Sequence, residues 1–216
     1  MTDEAQEEDE RTRALVVETR DATAIVRFNR PTERNPLSIS TLEELDTIVS
    51  ALVPRADVSA IIFTGTGEVF ASGANIRELE ALTPDAALEF ARRGQRLFQR
   101  IADAPQLTIA AVNGYCMGGG LDLALSCKIR VASPSAVFAH PGARLGIITG
   151  WGGTQRLPRL VGTARALEMF ATAKRLTSDE AYEIGLINRV SDDVLECAIA
   201  LAKRRANHLE EQRWKK

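Results

Sequence analysis

Three consecutive glycines, Gly118, Gly119 and Gly120, close an apolar run and open a helical pattern in AAVNGYCMGGGLD, residues Ala110 to Asp122. The first turn of a helix has backbone N–H groups without partners and a partial positive charge, so it can hold an anion or a developing oxyanion. Glycine removes the Cβ that would keep a ligand off that backbone. Asp122, three residues after Gly119, falls about one turn further along the same helix face. One turn therefore offers an oxyanion donor and a carboxylate. A strand-to-helix turn whose glycines serve close packing alone fits the same residues.

Two further stretches have the composition of ligand-facing backbone. Val69 to Ile76 (VFASGANI) sets small residues between apolar ones and reads as a loop, and His140-Pro141-Gly142-Ala143-Arg144 reads as another. His140 carries an imidazole, which changes charge near neutral pH. Only two histidines occur, His140 and His208, neither with a companion ligand at metal-binding spacing. Cys116, Cys127 and Cys197 are odd in number and show no CxxC pattern, so they read as small apolar fillers in a reducing compartment.

The elements that must position these residues follow from periodicity. Short β-branched runs at Ala14–Glu18 and Thr23–Phe28 predict a hairpin. Pro31 and Pro36 make Asn29–Pro36 an ordered loop. Ser40-Thr41-Leu42-Glu43 reads as a capping box opening a helix to about Val53. Ala60–Phe63 reads as a buried strand, and Thr83-Pro84 as the cap of a long helix to about Ala104. Further strands are expected at Lys128–Ala132, Ala136–Ala139 and Ile187–Val190. Helices are expected at Ala164–Ala173, at Ser178–Ile184 with Ser178 as cap, and at Asp192–Glu211. Pro158 limits any helix over Thr154–Leu160 to a short or broken one. Strands alternating with helices predict an α/β fold with parallel pairing.

With 216 residues, 45% of them apolar, the chain can bury one substantial core. Residues 1–12 read as a disordered acidic tail without the features of a signal peptide, 13–190 as the core and 191–216 as a C-terminal helix. A net charge of −2 with both signs interspersed excludes a nucleic-acid or anionic-membrane surface, and no run reaches the length of a membrane span. A cytoplasmic protein is expected.

Four segments in order resemble the crotonase, or enoyl-CoA hydratase/isomerase, superfamily: FNRPTERNPLS at Phe28–Ser38, FTGTGEVFASGANIREL at Phe63–Leu79, the glycine stretch through Ser133, and FAHPGARLGIITGWGGTQRLPRLVG at Phe138–Gly162. The resemblance implies a spiral of ββα units with C-terminal helices, shortened here at the C-terminus. It also implies a homotrimer or dimer of trimers, an acyl-CoA thioester as substrate, and no cofactor beyond the substrate's coenzyme A. Carried over, the backbone N–H groups of Ala74 and Gly119 form an oxyanion hole for an enolate. Asp122 stands where a catalytic glutamate is expected. The resemblance places Arg34, Pro36, Ala71, Gly73, Asn75, Ile76, Met117, Gly118, Pro141 and Gly142 at the coenzyme A and acyl sites.

One departure bears on the reaction. The second catalytic glutamate of a hydratase is replaced by Gly142, which has no acid–base group. His140 is one candidate substitute. A second comes from bicarbonate-dependent dihydroxynaphthoyl-CoA synthases, which are similar in having glycine there, where the space admits an external base. A third is a reaction needing only the oxyanion hole and one polar group: isomerisation, decarboxylation or thioester hydrolysis. Hydration of a 2-enoyl-CoA is the leading expectation, with a catalytically weak acyl-CoA-binding protein as the alternative from another class.

Overall fold

The computed structural model describes residues 13–213, and side chains through residue 207. The expected N-terminal tail lies outside the described residues. The chain winds through successive turns, each contributing a strand to a large sheet and, after the first, a strand to a small one. The first turn is β1 (Leu15–Arg20), β2 (Thr23–Phe28), a 3-10 turn at Pro31–Glu33, β3 (Pro36–Leu37) and α1 (Ile39–Leu52). The second is β4 (Ala60–Thr64), β5 (Val69–Ala71), β6 (Gly73–Ala74), α2 (Ile76–Glu80) and α3 (Pro84–Asp103). The third is β7 (Leu107–Val112), β8 (Tyr115–Met117) and α4 (Gly119–Ser126). The fourth is β9 (Ile129–Ala132), β10 (Val137–Ala139), a 3-10 turn at Pro141–Leu145, α5 (Gly153–Val161) and α6 (Thr163–Thr172). β11 (Leu176–Thr177), α7 (Ser178–Glu183), β12 (Arg189–Val190) and α8 (Val194–Arg213) complete the described chain.

The large sheet runs β1-β2-β4-β7-β9-β12, antiparallel only between β1 and β2. The small sheet runs β11-β10-β8-β5, and β3 pairs β6 in parallel. The continuous apolar strands of the large sheet are buried on both faces, as parallel sheets require. Val26, Phe63, Ala110 and Val112 face the main core under the helices, whereas Ile25, Ile62, Ile109 and Val131 face Val194, Ala198 and Ala202 of α8. No helix among the described residues is long and apolar enough to cross a membrane.

Several local expectations are corrected. Val69–Ile76 is not a loop but β5, β6 and the start of α2, because its small residues allow two strands to lie close to neighbouring backbone. α1 is capped by Ser38, whose Oγ accepts from the Thr41 N–H at 3.1 Å, and Glu43 instead pairs with Arg93 of α3. Pairing of Pro36–Leu37 with Gly73–Ala74 holds the chain extended up to Ser38, so the cap falls two residues before Ser40. α7 is capped by Thr177, not Ser178: the Thr177 Oγ1 accepts from the Glu180 N–H at 3.3 Å, and Glu180 accepts from the Thr177 N–H at 2.8 Å. Ser178 is buried and donates to the Ser133 carbonyl. α5 is short, as expected, and runs unbroken through Pro158 over its nine residues.

The loop before β3 is held by a residue whose role sequence reading did not assign. Asn35 is buried in the left-handed region at φ 48°, donates to the Val69 and Phe70 carbonyls at 2.8 and 3.2 Å, and accepts from the Arg30 N–H at 2.8 Å. Asn35→Ala strands those groups and is expected to cost on the order of 2–3 kcal/mol, read as a lower denaturant midpoint at unchanged slope.

Candidate functional site

Two backbones meet at the floor of a cavity of about 390 Å3. Gly73 has φ +91°, and a Cβ built there would lie 2.8 Å from the Gly119 nitrogen and 2.9 Å from the Met117 carbonyl oxygen. Residue 73 must therefore be glycine for β6 to reach the start of α4. Gly118 turns the chain into α4 with φ +52°, its N–H donating to the Ala139 carbonyl at 2.9 Å. Ala74, next to Gly73, and Gly119 both line the cavity, the one at the end of a strand and the other at the positive end of a helix. Pre-placed backbone donors of this kind can stabilise oxyanion charge.

The predicted site residues divide by position. Gly73, Ala74, Ile76, Gly118, Gly119, Pro141 and Gly142 line the cavity; Arg34, Pro36, Ala71, Asn75, Met117 and Asp122 do not. Arg34 is exposed, and its carbonyl accepts from the Ser72 N–H at 3.1 Å, so it stands at the β5–β6 edge near the mouth. Pro36 pairs with Gly73. Asn75 caps α2, accepting from the Arg77 N–H at 3.1 Å. Ala71 is fully enclosed, with its carbonyl against Gly120, and offers no surface to a ligand. Met117 is half-buried at the end of β8.

Asp122 follows Gly119 by one turn, as its spacing predicts, yet its carboxylate does not open into the cavity. It is fully buried. Oδ2 accepts from the Thr149 hydroxyl and, at 3.3 Å, from the Trp151 N–H. Oδ1 has no hydrogen-bond partner and lies 3.6 Å from Nε2 of His140. Room for it exists because residue 153 is glycine; a Cβ there would fall 2.1 Å from Oδ1. Burial raises the Asp122 pKa to about 7 against the opposing hydrogen bonds, and burial lowers that of His140 to about 4. From pH 4 to 7 the pair is a neutral carboxylic acid beside a neutral imidazole.

Gly142 does not leave a hole. The Ile147 carbonyl oxygen lies 2.5 Å from where its Cβ would be, because the Ile147 N–H returns to the Gly142 carbonyl at 3.0 Å and closes a tight turn. An external base standing in for a missing carboxylate has no space along that direction.

Trp151 is the wall that sequence reading undervalued. Its ring packs edge-on against Phe98 at 5.7 Å and tilted against Phe90 at 5.1 Å, and its Nε1–H donates to the Phe90 carbonyl at 3.3 Å. The ring covers Gly119 and Gly94, where added Cβ atoms would lie 2.2 Å from it. A glycine inside the long α3 was the available signal, since glycine there weakens a helix unless something packs closely on it. Gly94→Ala is expected to lower stability by roughly 1–3 kcal/mol despite the better helix former, through displacement of the indole, with a matching change in tryptophan emission.

The buried pair makes a pH prediction with a definite sign. Between pH 4 and 6.5 the unfolded chain has Asp122 ionised and His140 protonated, whereas the folded chain has the reverse, so the two contributions to the slope cancel. In Asp122→Asn only the depressed His140 remains. Its contribution is present above pH 6.5 and lost as pH falls through about 4, on the order of 3 kcal/mol. In His140→Gln only the raised Asp122 remains, and its contribution is present below pH 4 and lost as pH rises through about 7. Urea denaturation across this range should show opposite slopes in the two variants.

The sequence profile of the enoyl-CoA hydratase/isomerase family matches residues 18–212. The short-chain-enoyl-CoA hydratase of Clostridium acetobutylicum is 41% identical over 177 residues, 82% of this chain and 68% of that protein. The crotonyl-CoA hydratase of Syntrophomonas wolfei is equally similar, at 41% over 177 residues with the same shares. Among solved structures, the enoyl-CoA hydratase of Bacillus anthracis superposes with a TM-score of 0.86 at 34% identity, over 90% of this chain and 77% of its own. DspI of Pseudomonas aeruginosa superposes with a TM-score of 0.87 at 36% identity, over 91% and 81%. With the ββα spiral and the paired glycine-rich backbones, these similarities place the chain in the enoyl-CoA hydratase/isomerase family.

Proposed function

We propose that this enzyme hydrates a 2-enoyl-CoA, holding the thioester oxygen at the Ala74 and Gly119 N–H groups while water adds across the double bond. The observation that carries the reading is the approach of Gly73–Ala74 to the N-terminus of α4 at the floor of an apolar cavity. Leu82, Phe90, Ile148 and Phe170 on its walls suit an acyl chain. Arg34, at the outer edge beside Ser72, suits the phosphates of coenzyme A, and the substrate's coenzyme A is the sole cofactor that this reading needs. A homotrimer or dimer of trimers is the assembly we carry over from the family.

The enclosure of Asp122 favours a second reading, a catalytically weak acyl-CoA-binding protein. Loss of the conjugated thioester absorbance of crotonyl-CoA separates the two. Turnover is expected, and binding by calorimetry without turnover would sink hydration. Since a base must be ionised to take a proton from water, kcat/KM should fall about tenfold per pH unit below about 7, the value to which burial raises Asp122. An acid limb near 4, where His140 titrates, would instead show that Asp122 is not the base.

A further inference from the structure

A carboxylate sealed behind other side chains must either be structural or act through one of them. Asp122 is touched by three residues that also line the cavity, Thr149, Trp151 and His140; the Trp151 backbone N–H and the Thr149 hydroxyl are hydrogen-bonded to it, and of these only the hydroxyl can both give and accept a proton. Thr149 is half-buried between the carboxylate and the cavity, and its methyl packs at Gly153, the residue whose lack of a Cβ makes room for Oδ1. Its hydroxyl has one proton to give and lone pairs to receive another. We infer that Thr149 is a catalytic residue: its hydroxyl contacts the reacting water in the cavity and relays protons between that water and the buried Asp122. The inference rests on the hydratase reading.

The steps balance without a co-reactant. A water O–H bond breaks as its proton passes to Thr149 Oγ1, while the proton of Thr149 passes to Asp122 Oδ2. The water oxygen bonds to C3 of the enoyl group, and the C2=C3 electron pair moves toward the thioester oxygen at Ala74 and Gly119. The enolate then takes a proton at C2 from Thr149 as Asp122 returns its own. One water is added, its hydroxyl at C3 and one proton at C2 arriving on the same face of the double bond, and the relay is restored. Nothing requires a group at position 142. The charged or titratable neighbours that bear on Asp122 are His140 before the Pro141–Leu145 turn, Arg156 on α5 and Cys116 on β8.

Thr149→Val removes the hydroxyl at nearly constant shape, and Thr149→Ser keeps it. If the relay operates, Thr149→Val loses roughly 10²-fold or more in kcat at every pH with unchanged crotonyl-CoA affinity, its residual rate has no acid limb near 7, and Thr149→Ser stays within about tenfold of wild type. If Thr149 merely supports Asp122, removing its hydrogen bond moves the acid limb to higher pH and the rate recovers above it, which overturns the relay and leaves the hydratase reading intact. A Thr149→Val rate within threefold of wild type overturns it equally, and Thr149→Ala replaces valine if that variant misfolds. Should wild type not hydrate crotonyl-CoA, the hydratase reading fails. The relay is then decided by deuterium exchange at C2 of butyryl-CoA: exchange lost in Thr149→Val upholds proton transfer through the hydroxyl, whereas no exchange in wild type overturns it.

Discussion

The contact between the β6 backbone and the first turn of α4 is the constraint around which the rest is arranged. Two chain segments with side chains cannot approach as Gly73 and Gly119 do, and neither backbone is placed by its own local structure. β6 is two residues long and relies on β3, which in turn relies on the buried Asn35. The start of α4 is held from the other side by the Ala139 carbonyl and covered by the Trp151 ring. The two backbones at the cavity floor are thus held in place by residues from all four turns of the spiral before any ligand arrives.

The second constraint is the enclosed carboxylate. An ionised group in the interior is expensive unless paired, and Asp122 meets this by keeping its proton up to about pH 7, with two hydrogen bonds to one oxygen and an unprotonated imidazole 3.6 Å from the other. Three residues act together here. Asp122 has a short side chain held inside the core, Trp151 covers the start of α4, and Thr149 places a hydroxyl on the carboxyl group at the cavity wall.

Much of the fold was legible because it rests on local rules. The apolar runs at Ala60–Phe63 and Ala110–Val112 are strands by continuity, and Thr83-Pro84 caps α3 by the chemistry of N-cap and N1. Where two nearby residues could both cap, as at Thr177 and Ser178 or Ser38 and Ser40, the choice fell to contacts far along the chain: Ser133 takes the Ser178 hydroxyl, and Gly73–Ala74 holds the strand leading to Ser38. Cys116 and Cys127 are the small core residues expected, with burial raising both thiols.

What the sequence by itself determined was the set of turns, helices and buried strands, the glycines that bring two backbones together, and the family in which such glycines recur in this order. Those are properties of residue type and spacing, and they survive without knowledge of any neighbour. Only the tertiary structure decided that Asp122 faces inward, that Thr149 and His140 stand between it and the cavity, and that the space beside Gly142 is filled by the Ile147 carbonyl. The reason is physical: α4 fixes only the direction in which Asp122 leaves its axis, whereas the protonation and reach of its carboxylate depend on what α5 and the preceding loop pack against it, and those residues lie some thirty positions away.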